Sequence, residues 1–580
     1  MGKMNLLFKS KAGAGVLLWA GLCAVPLIQA APNLPSSPGA VESTLPSSGG
    51  LVLPPTTPVD LVSPAPETKP KVVAGGRKIL VENFELVGNS KLTAEQIAGV
   101  IERYAGKQLT IEEIYAVADE LGGLYRSQGY RLATVTLPPQ KISAGVIRLE
   151  VVEGRIDAID FSGNQTYSSE FLREQVNQLV DGDVLSLETM EREMMLLNDL
   201  PGLSARSVIK PGSAYGSSLI DIQTTEQRVD GYLVGNNYGR EDVGEWRLEG
   251  GVGVNNPLGI GDRFNFDFMH SQSNLLNFYA VGYSLPVNQH GTRLAVSYSQ
   301  ADFDVALDSD IKALFSGEEL SGTTRSTRLQ LSHPWVRSLN RNILFGIGLL
   351  HKDGNTQDKA SVGSSHTLDR EETINLLDLS VVMSQIHVDN SLSNLSAVFW
   401  TNFRKRQNDE FAVDDAGAPA GGGDRNRVRG KLRLDANHLR AFYGGWSLYL
   451  RAAGVLSVDP LPDSEKFGIG GPADVRGFPT SEVRGDQGYS VTAELRKQFR
   501  VFAGRDLLVR AFVDAGKVYR KDRLPLVLHS ESLSSVGFGI AIAPFKKLQL
   551  DLNAAFPTNS RKASDGSNSS RFWANLSTRY

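Results

Sequence analysis

The feature that most constrains this chain is a pattern of short alternating segments from about residue 229 to the end. Each segment spans roughly ten residues, alternates apolar with polar side chains, and is separated from the next by Gly, Asn, Asp or Ser. Ten extended residues tilted by about 45° cover about 24 Å, the height of the apolar band of an outer-membrane barrel. A soluble sandwich would alternate as well, so this length decides between the two. Counting about 16 segments, we predict a mostly β protein with an antiparallel transmembrane β-barrel over residues 229–580.

The two faces of these predicted strands differ in chemistry. The last segment places Phe572, Leu576 and Tyr580 on one face, which is expected to meet lipid. The opposite face of other segments carries charge, at Arg433, Asp435, Arg451, Glu494 and Arg496. A polar, water-filled lumen is therefore predicted.

The N-terminal part is typical of an exported protein. In residues 1–30, three lysines precede an apolar run that ends in a small-residue pattern, which predicts a cleaved signal peptide. The single cysteine, Cys23, lies in that run behind a leucine, which argues against a lipid-attachment site. Residues 31–76 are crowded with proline and serine, so we predict an extended linker there.

Two similar small units are predicted between this linker and the barrel, repeating at a period of about 75 residues. They cover residues 78–153 and 154–227. Each opens with an alternating strand that ends at a Gly-Asn turn, at Gly88 in the first and Gly163 in the second. In the first unit, Thr93 with Gln96 and Thr110 with Glu113 are capping-box signatures, each followed by helical spacing. Helical spacing also follows in the second unit, and two further strands close each unit. The predicted order in each is strand, helix, helix, strand, strand.

Several functional classes are disfavoured by the sequence. No apolar run of about 18 residues follows the signal, which argues against a membrane-spanning helix. The balance of 60 basic and 64 acidic residues gives no basic stripe for nucleic acid. No catalytic motif occurs in its required context, and the histidines lack ligand spacing, so we expect neither an enzyme nor a cofactor or metal. The acidic group Asp302, Asp304, Asp308 and Asp310 is interpreted as a solvated loop, because the ordered spacing of a calcium loop is missing.

A signal, two small units of this order and a barrel of about 16 strands resemble the two-partner secretion transporters of the ShlB/FhaC/HecB type, which export haemolysins and filamentous haemagglutinin. The small units look like that family's POTRA domains. Residues 131–155, with Leu137-Pro138-Pro139-Gln140 and Val151-Val152-Glu153-Gly154, look like the end of its first POTRA domain.

Two further motifs carry the resemblance inside the barrel. Residues 470–478 end in Val475, Arg476, Gly477 and Phe478, and look like the family's motif at the tip of a long loop folded into the lumen, here about 456–487. Phe512, Asp514 and Gly516 look like its partner motif on the barrel wall. The resemblance implies an ion pair between Arg476 and Asp514. A desolvated guanidinium favours a bidentate carboxylate, Gly477 would permit a tight turn, and Gly516 would let the loop approach the wall.

The resemblance implies a transporter that recognises a large secreted β-rich partner in the periplasm and passes it through the barrel. It further implies contact with outer-membrane lipid and assembly by the barrel assembly machinery. The alternatives are an insertase resembling BamA, which ordinarily carries more POTRA repeats, a passive porin, which needs none, and a ligand-gated receptor, which needs more strands. Many family members begin with a plug helix. The prolines of residues 31–76 make one doubtful here.

Overall fold

The computed structural model describes residues 41, 45, 61–62, 78–306, 319–359, 369–402, 428–501, 505–521, 529–545, 547–559, 561–567 and 569–580. The predicted signal peptide lies outside these ranges, as does most of the predicted linker. Within them, no helix is long and apolar enough to cross a membrane.

The first unit is a small α+β domain. A short strand in the linker region, β1 Leu61–Val62, precedes this unit. The elements of the unit are β2 Ile79–Val81, β3 Asn83–Val87, α1 Ala94–Ile101, β4 Lys107–Leu109, α2 Ile111–Ser127, β5 Thr134–Thr136 and β6 Val146–Val152. Strand β6 lies between β3, which is parallel to it, and β5, which is antiparallel. Both helices begin with the predicted capping boxes, at Thr93 and Thr110. Their apolar faces bury Val100 of α1 and Ile114 and Leu121 of α2 in one cluster with Leu149 of the sheet.

The second unit repeats this arrangement. Its elements are β7 Arg155–Ser162, α3 Ser169–Gln175, α4 Leu187–Asn198, β8 Leu203–Pro211 and β9 Ser217–Glu226, in the sheet order β1-β8-β9-β7. The repeat extends to single contacts. Glu153 after β6 accepts hydrogen bonds from the backbone of Ser90 and Lys91, and Glu226 at the end of β9 does the same for Gln165 and Thr166.

The remainder is a closed barrel of 16 antiparallel strands, which confirms the predicted fold. The strands are β10 Val229–Asn236, β11 Arg247–Asn255, β12 Arg263–Ser271, β13 Leu276–Pro286, β14 Arg293–Val305, β15 Glu319–Arg337, β16 Arg341–Lys359, β17 Asp369–Ile386, β18 Leu392–Asn402, β19 Lys431–Ala441, β20 Trp446–Ser457, β21 Phe467–Ile469, β22 Val483–Gly485, β23 Gln487–Val501, β24 Arg505–Tyr519, β25 Ser530–Phe545, β26 Leu548–Pro557 and β27 Arg571–Arg579. All of them except β21 and β22 form the wall. The barrel closes by antiparallel pairing of β10 with β27, so no wall edge is left unpaired.

The second unit is fastened to one end of the barrel. Arg337, at the end of β15, donates two hydrogen bonds to the carboxylate of Asp199, at 2.8 and 2.5 Å. The backbone N–H of Leu339 donates to Glu191 on α4, at 2.5 Å. The side chain of Arg337 is almost fully buried. The joint therefore contains a desolvated ion pair, and it identifies the barrel end at which the second unit lies.

Two residues of the linker region are described individually. Val41 is helical and is buried among Met269, Phe278 and Phe303 on the inner face of the barrel wall, and Leu45 packs on the same cluster. The doubt about a plug helix concerns residues 31–76, most of which lie outside the described ranges.

Candidate functional site

The chain between the ends of β20 and β23 folds back into the lumen. Strands β21 and β22 pair as a hairpin inside the barrel, with Phe467 opposite Gly485 and Ile469 opposite Val483. Val475 and Phe478, near the tip, are fully buried. They share one apolar cluster with residues of the barrel wall, namely Leu376, Val455, Val518 and Leu533. The loop therefore fills part of the lumen and has its own core against the wall.

Arg476 lies at the tip of this loop and contacts two carboxylates of the wall. Its Nε and one terminal nitrogen donate to the two oxygens of Asp514, at 3.0 and 2.7 Å. The other terminal nitrogen donates to Glu494 at 2.6 Å, and the backbone N–H donates to Asp514 at 3.2 Å. Arg476 is 5% exposed and Asp514 is not exposed at all. The resulting ion pair is bidentate and desolvated, the geometry in which arginine recognises a carboxylate best.

The wall supplies further partners that complete this site. Asp514 also accepts hydrogen bonds from the hydroxyls of Thr492, at 3.0 Å, and Ser535, at 3.2 Å. Arg496 pairs with the second oxygen of Glu494 at 2.7 Å. Two arginines thus balance two carboxylates. Because one partner of a buried pair leaves an uncompensated charge when the other is removed, breaking the tip contact costs about 3–5 kcal/mol.

Two aromatic residues hold the tip from either side. The guanidinium carbon of Arg476 lies 3.4 Å from the ring centroid of Phe512, a cation–π contact. The indole N–H of Trp573 donates to the backbone carbonyl of Arg476 at 2.7 Å. Phe512 belongs to the motif singled out in the sequence. Trp573 is not part of either motif. The alternation of the last strand could have identified it, because the even-numbered residues of that strand face lipid and the odd-numbered Trp573 therefore faces the lumen.

Four glycines shape the loop and its contact with the wall. The strained turn lies at Gly470 and Gly471, whose φ angles are 112° and 101°, a region that glycine tolerates best. Gly477 lies in a tight turn, in which the backbone N–H of Phe478 donates to the carbonyl of Val475 at 3.2 Å. It is also required for close approach, because an added Cβ would lie 2.7 Å from the Cβ of Ser535 on the wall. Gly516 also allows close approach, since an added Cβ would lie 3.1 Å from Ile469 of the loop.

A second ionic contact fixes the loop near its beginning, and sequence reasoning did not find it. Glu465 accepts hydrogen bonds from Lys352 on β16 at 2.8 Å and from Lys431 on β19 at 2.7 Å. All three side chains are at most 10% exposed. The tip is therefore fastened to β23 and β24, and the root to β16 and β19. No spacing signal connects Glu465 to these lysines, because they lie 113 and 34 residues away in sequence.

A polar cavity of about 340 Å³ lies beside the tip. Its lining includes Arg476, Glu494, Arg496, Arg510 and Asp551. Arg496 and Arg510 lie further along their strands toward the end of the barrel that carries the second unit. The tip thus separates a charged chamber on that side from the apolar cluster around Phe478.

The acidic group singled out in the sequence lies elsewhere. Asp302 and Asp304 belong to β14, where the hydroxyl of Thr323 donates to Asp302 at 2.7 Å. Asp308 and Asp310 lie outside the described residues. In the described part of the chain, no group of three or more His, Cys, Asp or Glu side chains is arranged to hold a metal ion.

Comparison with known proteins gives two family matches. Residues 216–542 match the haemolysin secretion/activation protein family ShlB/FhaC/HecB, and residues 79–154 match the ShlB-type POTRA domain. The heme/hemopexin transporter HuxB of Haemophilus influenzae is 23% identical, with 84% of each chain covered. The hemolysin transporter ShlB of Serratia marcescens is 24% identical, with 77% of this chain and 76% of ShlB covered. The solved structure of CdiB from Escherichia coli superposes with a TM-score of 0.69 at 22% identity, covering 89% of this chain and 93% of CdiB.

Proposed function

The chain belongs to the haemolysin secretion/activation family ShlB/FhaC/HecB, and from this premise we propose that it exports one large partner protein past the loop anchored by Arg476. Its family consists of two-partner secretion transporters of the outer membrane, and this chain is such a transporter. Its POTRA domains lie in the periplasm. The site of capture, the route of passage and the identity of the partner are the parts that we propose.

Capture begins at the sheet edge of the second unit, which we identify with the second POTRA domain, residues 154–227. Strand β8 is nine residues long, and within the described ranges its outer neighbour is β1, which pairs with it at two positions, Ser207 and Val208. The rest of that edge offers backbone donors and acceptors to an unfolded partner strand. Strand addition of this kind gives affinity through main-chain hydrogen bonds and makes little demand on sequence. It suits a transporter that must recognise its partner before the partner folds.

Passage requires the loop to leave its resting place. The observation that supports this best is the double contact of Arg476 with Asp514 and Glu494, buried in a lumen that is otherwise lined by charge near the tip. In this state the loop fills part of the pore. A partner that enters from the periplasm would compete for the space of the tip, while Glu465 keeps the root attached. The loop then has two arrangements, and the partner shifts the population toward the open one.

We propose a large secreted β-rich protein as the partner, whose folding outside the cell drives export. One relative named above is a heme/hemopexin transporter and the other a hemolysin transporter. A haem-related protein is therefore one specific partner to test, and a cytolysin is another. The exposed apolar residues Phe572, Leu576 and Tyr580 on the last strand favour contact with outer-membrane lipid and insertion by the barrel assembly machinery.

The test is secretion of a co-expressed partner. A large secreted protein encoded beside this chain is expressed with the wild type, with Arg476→Ala, or with the control Arg433→Ala. Arg433 also faces the lumen, but its carboxylate partner Asp435 lies on the same wall strand, at 2.7 Å. We expect partner in the medium with the wild type and the control, and a loss of at least about tenfold with Arg476→Ala, while heat-modifiable migration shows that the barrel is folded.

The other outcomes are equally decisive. Secretion without this chain contradicts the export proposal. Defects in unrelated outer-membrane barrels after its deletion would instead support the insertase alternative.

The capture step is tested with a photo-crosslinking residue at Ser204, which is exposed on β8, against the same residue at Glu170 on α3. A partner that crosslinks equally at both positions contradicts strand addition.

A further inference from the structure

We propose that the periplasmic rim of the barrel binds anionic phospholipid headgroups on the side that the second unit leaves uncovered. Four cations at this rim each lie against an aromatic ring. The proposal concerns the membrane contact alone, so it is independent of which partner the chain exports.

The cation–aromatic pairs lie at neighbouring periplasmic turns and face outward. The distances from cation to ring centroid are 5.8 Å for Arg440 over Phe442, 5.0 Å for Lys497 over Trp446, 5.5 Å for Arg505 over Phe545 and 5.1 Å for Lys547 over Tyr580. Lys497 also lies 5.7 Å from the ring of Phe499. The five aromatic residues are 43% exposed or more. Each ring therefore supports a cation and still faces the surroundings of the barrel.

The strand order places these pairs at the periplasmic edge of the apolar band. Lys497 lies opposite Trp446 across the pairing of β20 with β23, at the periplasmic ends of both strands. On the same outward faces, further into the membrane, lie the exposed apolar residues Leu450, Leu495 and Val513. Cations at the end of such a face reach the headgroup region while their stems and the rings remain in the apolar boundary.

The rest of the rim is different. The second unit contacts the barrel at the β11–β12 turn, where Asn256 donates to Thr166, and at the β15–β16 turn, where Arg337 pairs with Asp199. Gln227, at the end of this unit, donates to the backbone carbonyl of Tyr580 at 3.3 Å. The exposed rim aromatics beside the β15–β16 turn, Trp335 and Phe345, pack against each other with ring centroids 6.1 Å apart. Near Trp335 and Phe345, the described residues on the outer face of the wall form no contact between a cation and an aromatic ring. The basic surface therefore lies at the β19–β20, β23–β24 and β25–β26 turns, away from these contacts, and ends at Tyr580, where the second unit begins.

Charge argues for an anionic occupant. Arg440 has a carboxylate, Asp389, at 3.5 Å, and both side chains are about half exposed. Lys497, Arg505 and Lys547 form no ion pair with a carboxylate of the described residues, and Asp506 is the exposed acidic neighbour on β24. Cations near a membrane surface attract anionic lipids, and each is worth up to about a fivefold change in affinity. Phosphate oxygens of phosphatidylglycerol fit this arrangement better than a neutral surface would.

The experiment measures lipid bound to the purified full-length protein. Wild type and a triple variant, Lys497→Gln with Arg505→Gln and Lys547→Gln, are titrated in neutral detergent with phosphatidylglycerol or phosphatidylcholine, and native mass spectrometry counts the bound lipids. The control removes three exposed cations of the first unit by Arg131→Gln, Lys141→Gln and Arg148→Gln. We expect half-saturation by phosphatidylglycerol to need at least about tenfold more lipid in the triple variant, with no change in the control.

A charge-preserving variant keeps the test falsifiable. Lys497→Arg with Lys547→Arg should bind phosphatidylglycerol as the wild type does, and heat-modifiable migration shows whether each barrel is folded. Equal binding of phosphatidylglycerol by the folded triple variant and the wild type would overturn the proposal. Equal affinity of the wild type for the two lipids would also overturn it, because it would indicate an apolar annulus without headgroup recognition.

Discussion

Removal of the Arg476 side chain should release the tip of the lumen loop. The Arg476→Ala change deletes three side-chain hydrogen bonds to Asp514 and Glu494 and the contact with the ring of Phe512. Asp514 then keeps only hydroxyl partners from side chains and remains buried without a counter-charge. A cost of about 3–5 kcal/mol corresponds to roughly two to three and a half orders of magnitude in the ratio of anchored to released loop.

A single cysteine reports this ratio directly. The only native cysteine is Cys23, in the predicted signal peptide, so Val475→Cys introduces one thiol at a fully buried position of the tip. If opening and closing are fast relative to labelling, the rate with a polar maleimide follows the released fraction. We expect Val475→Cys with Arg476→Ala to react at least about a hundredfold faster than Val475→Cys alone.

The matched control is Arg433→Ala in the same Val475→Cys background. It removes a lumen arginine whose carboxylate partner lies on the same wall strand, so labelling should change by less than about threefold. Equal labelling rates with and without Arg476, in folded barrels, would refute the reasoning that this ion pair anchors the tip. A comparable acceleration in the control would show that net lumen charge, rather than the specific pair, holds the loop.

Three further predictions address the root, the joint and the second unit. Glu465→Gln leaves two buried lysines without their carboxylate, so single-channel current in planar bilayers should rise, and an unchanged current would argue against the root contact. Asp199→Asn and Arg337→Ala should each broaden the spin-label distance distribution between second unit and barrel, and the double variant should broaden it no further; additive broadening would contradict a shared pair. Burial raises the pKa of Glu193 from its ordinary 4.5 to about 7. Because this folded-state pKa lies above the unfolded one, stability is greatest below pH 4.5 and falls by roughly 3 kcal/mol as pH rises to 7. Glu193→Gln should remove that difference in urea unfolding followed by circular dichroism at 222 nm, and an unchanged pH dependence would contradict it.

Local pattern was sufficient for much of the fold. The two-residue period of the last 350 or so residues fixed strand type and strand face, and it placed Phe572 and Tyr580 on the lipid side, where they are 65% and 72% exposed. The capping boxes at Thr93 and Thr110 marked where the helices of the first unit begin. These features depend on neighbours a few residues apart, so they can be read without knowing the tertiary structure.

The candidate site was only partly accessible in this way. Motif resemblance pointed to Arg476 and Asp514, but it did not reveal that Glu494 is a second partner of the arginine. It placed Gly477 in a tight turn, but it did not reveal that this glycine also lies against Ser535 of the wall. A motif records which residue types occur together. It does not record which wall strand the loop reaches.

The sequence by itself determined an exported chain with two small repeated units, a barrel of alternating strands, and an arginine-bearing loop with an acidic wall motif. Only the tertiary structure decided that Glu465 binds Lys352 and Lys431, and that cations at one half of the rim pair with aromatic rings. The physical reason is that these contacts depend on strand register, barrel closure and the path of the loop through the lumen. Those features bring together residues far apart in sequence, and no local period encodes them.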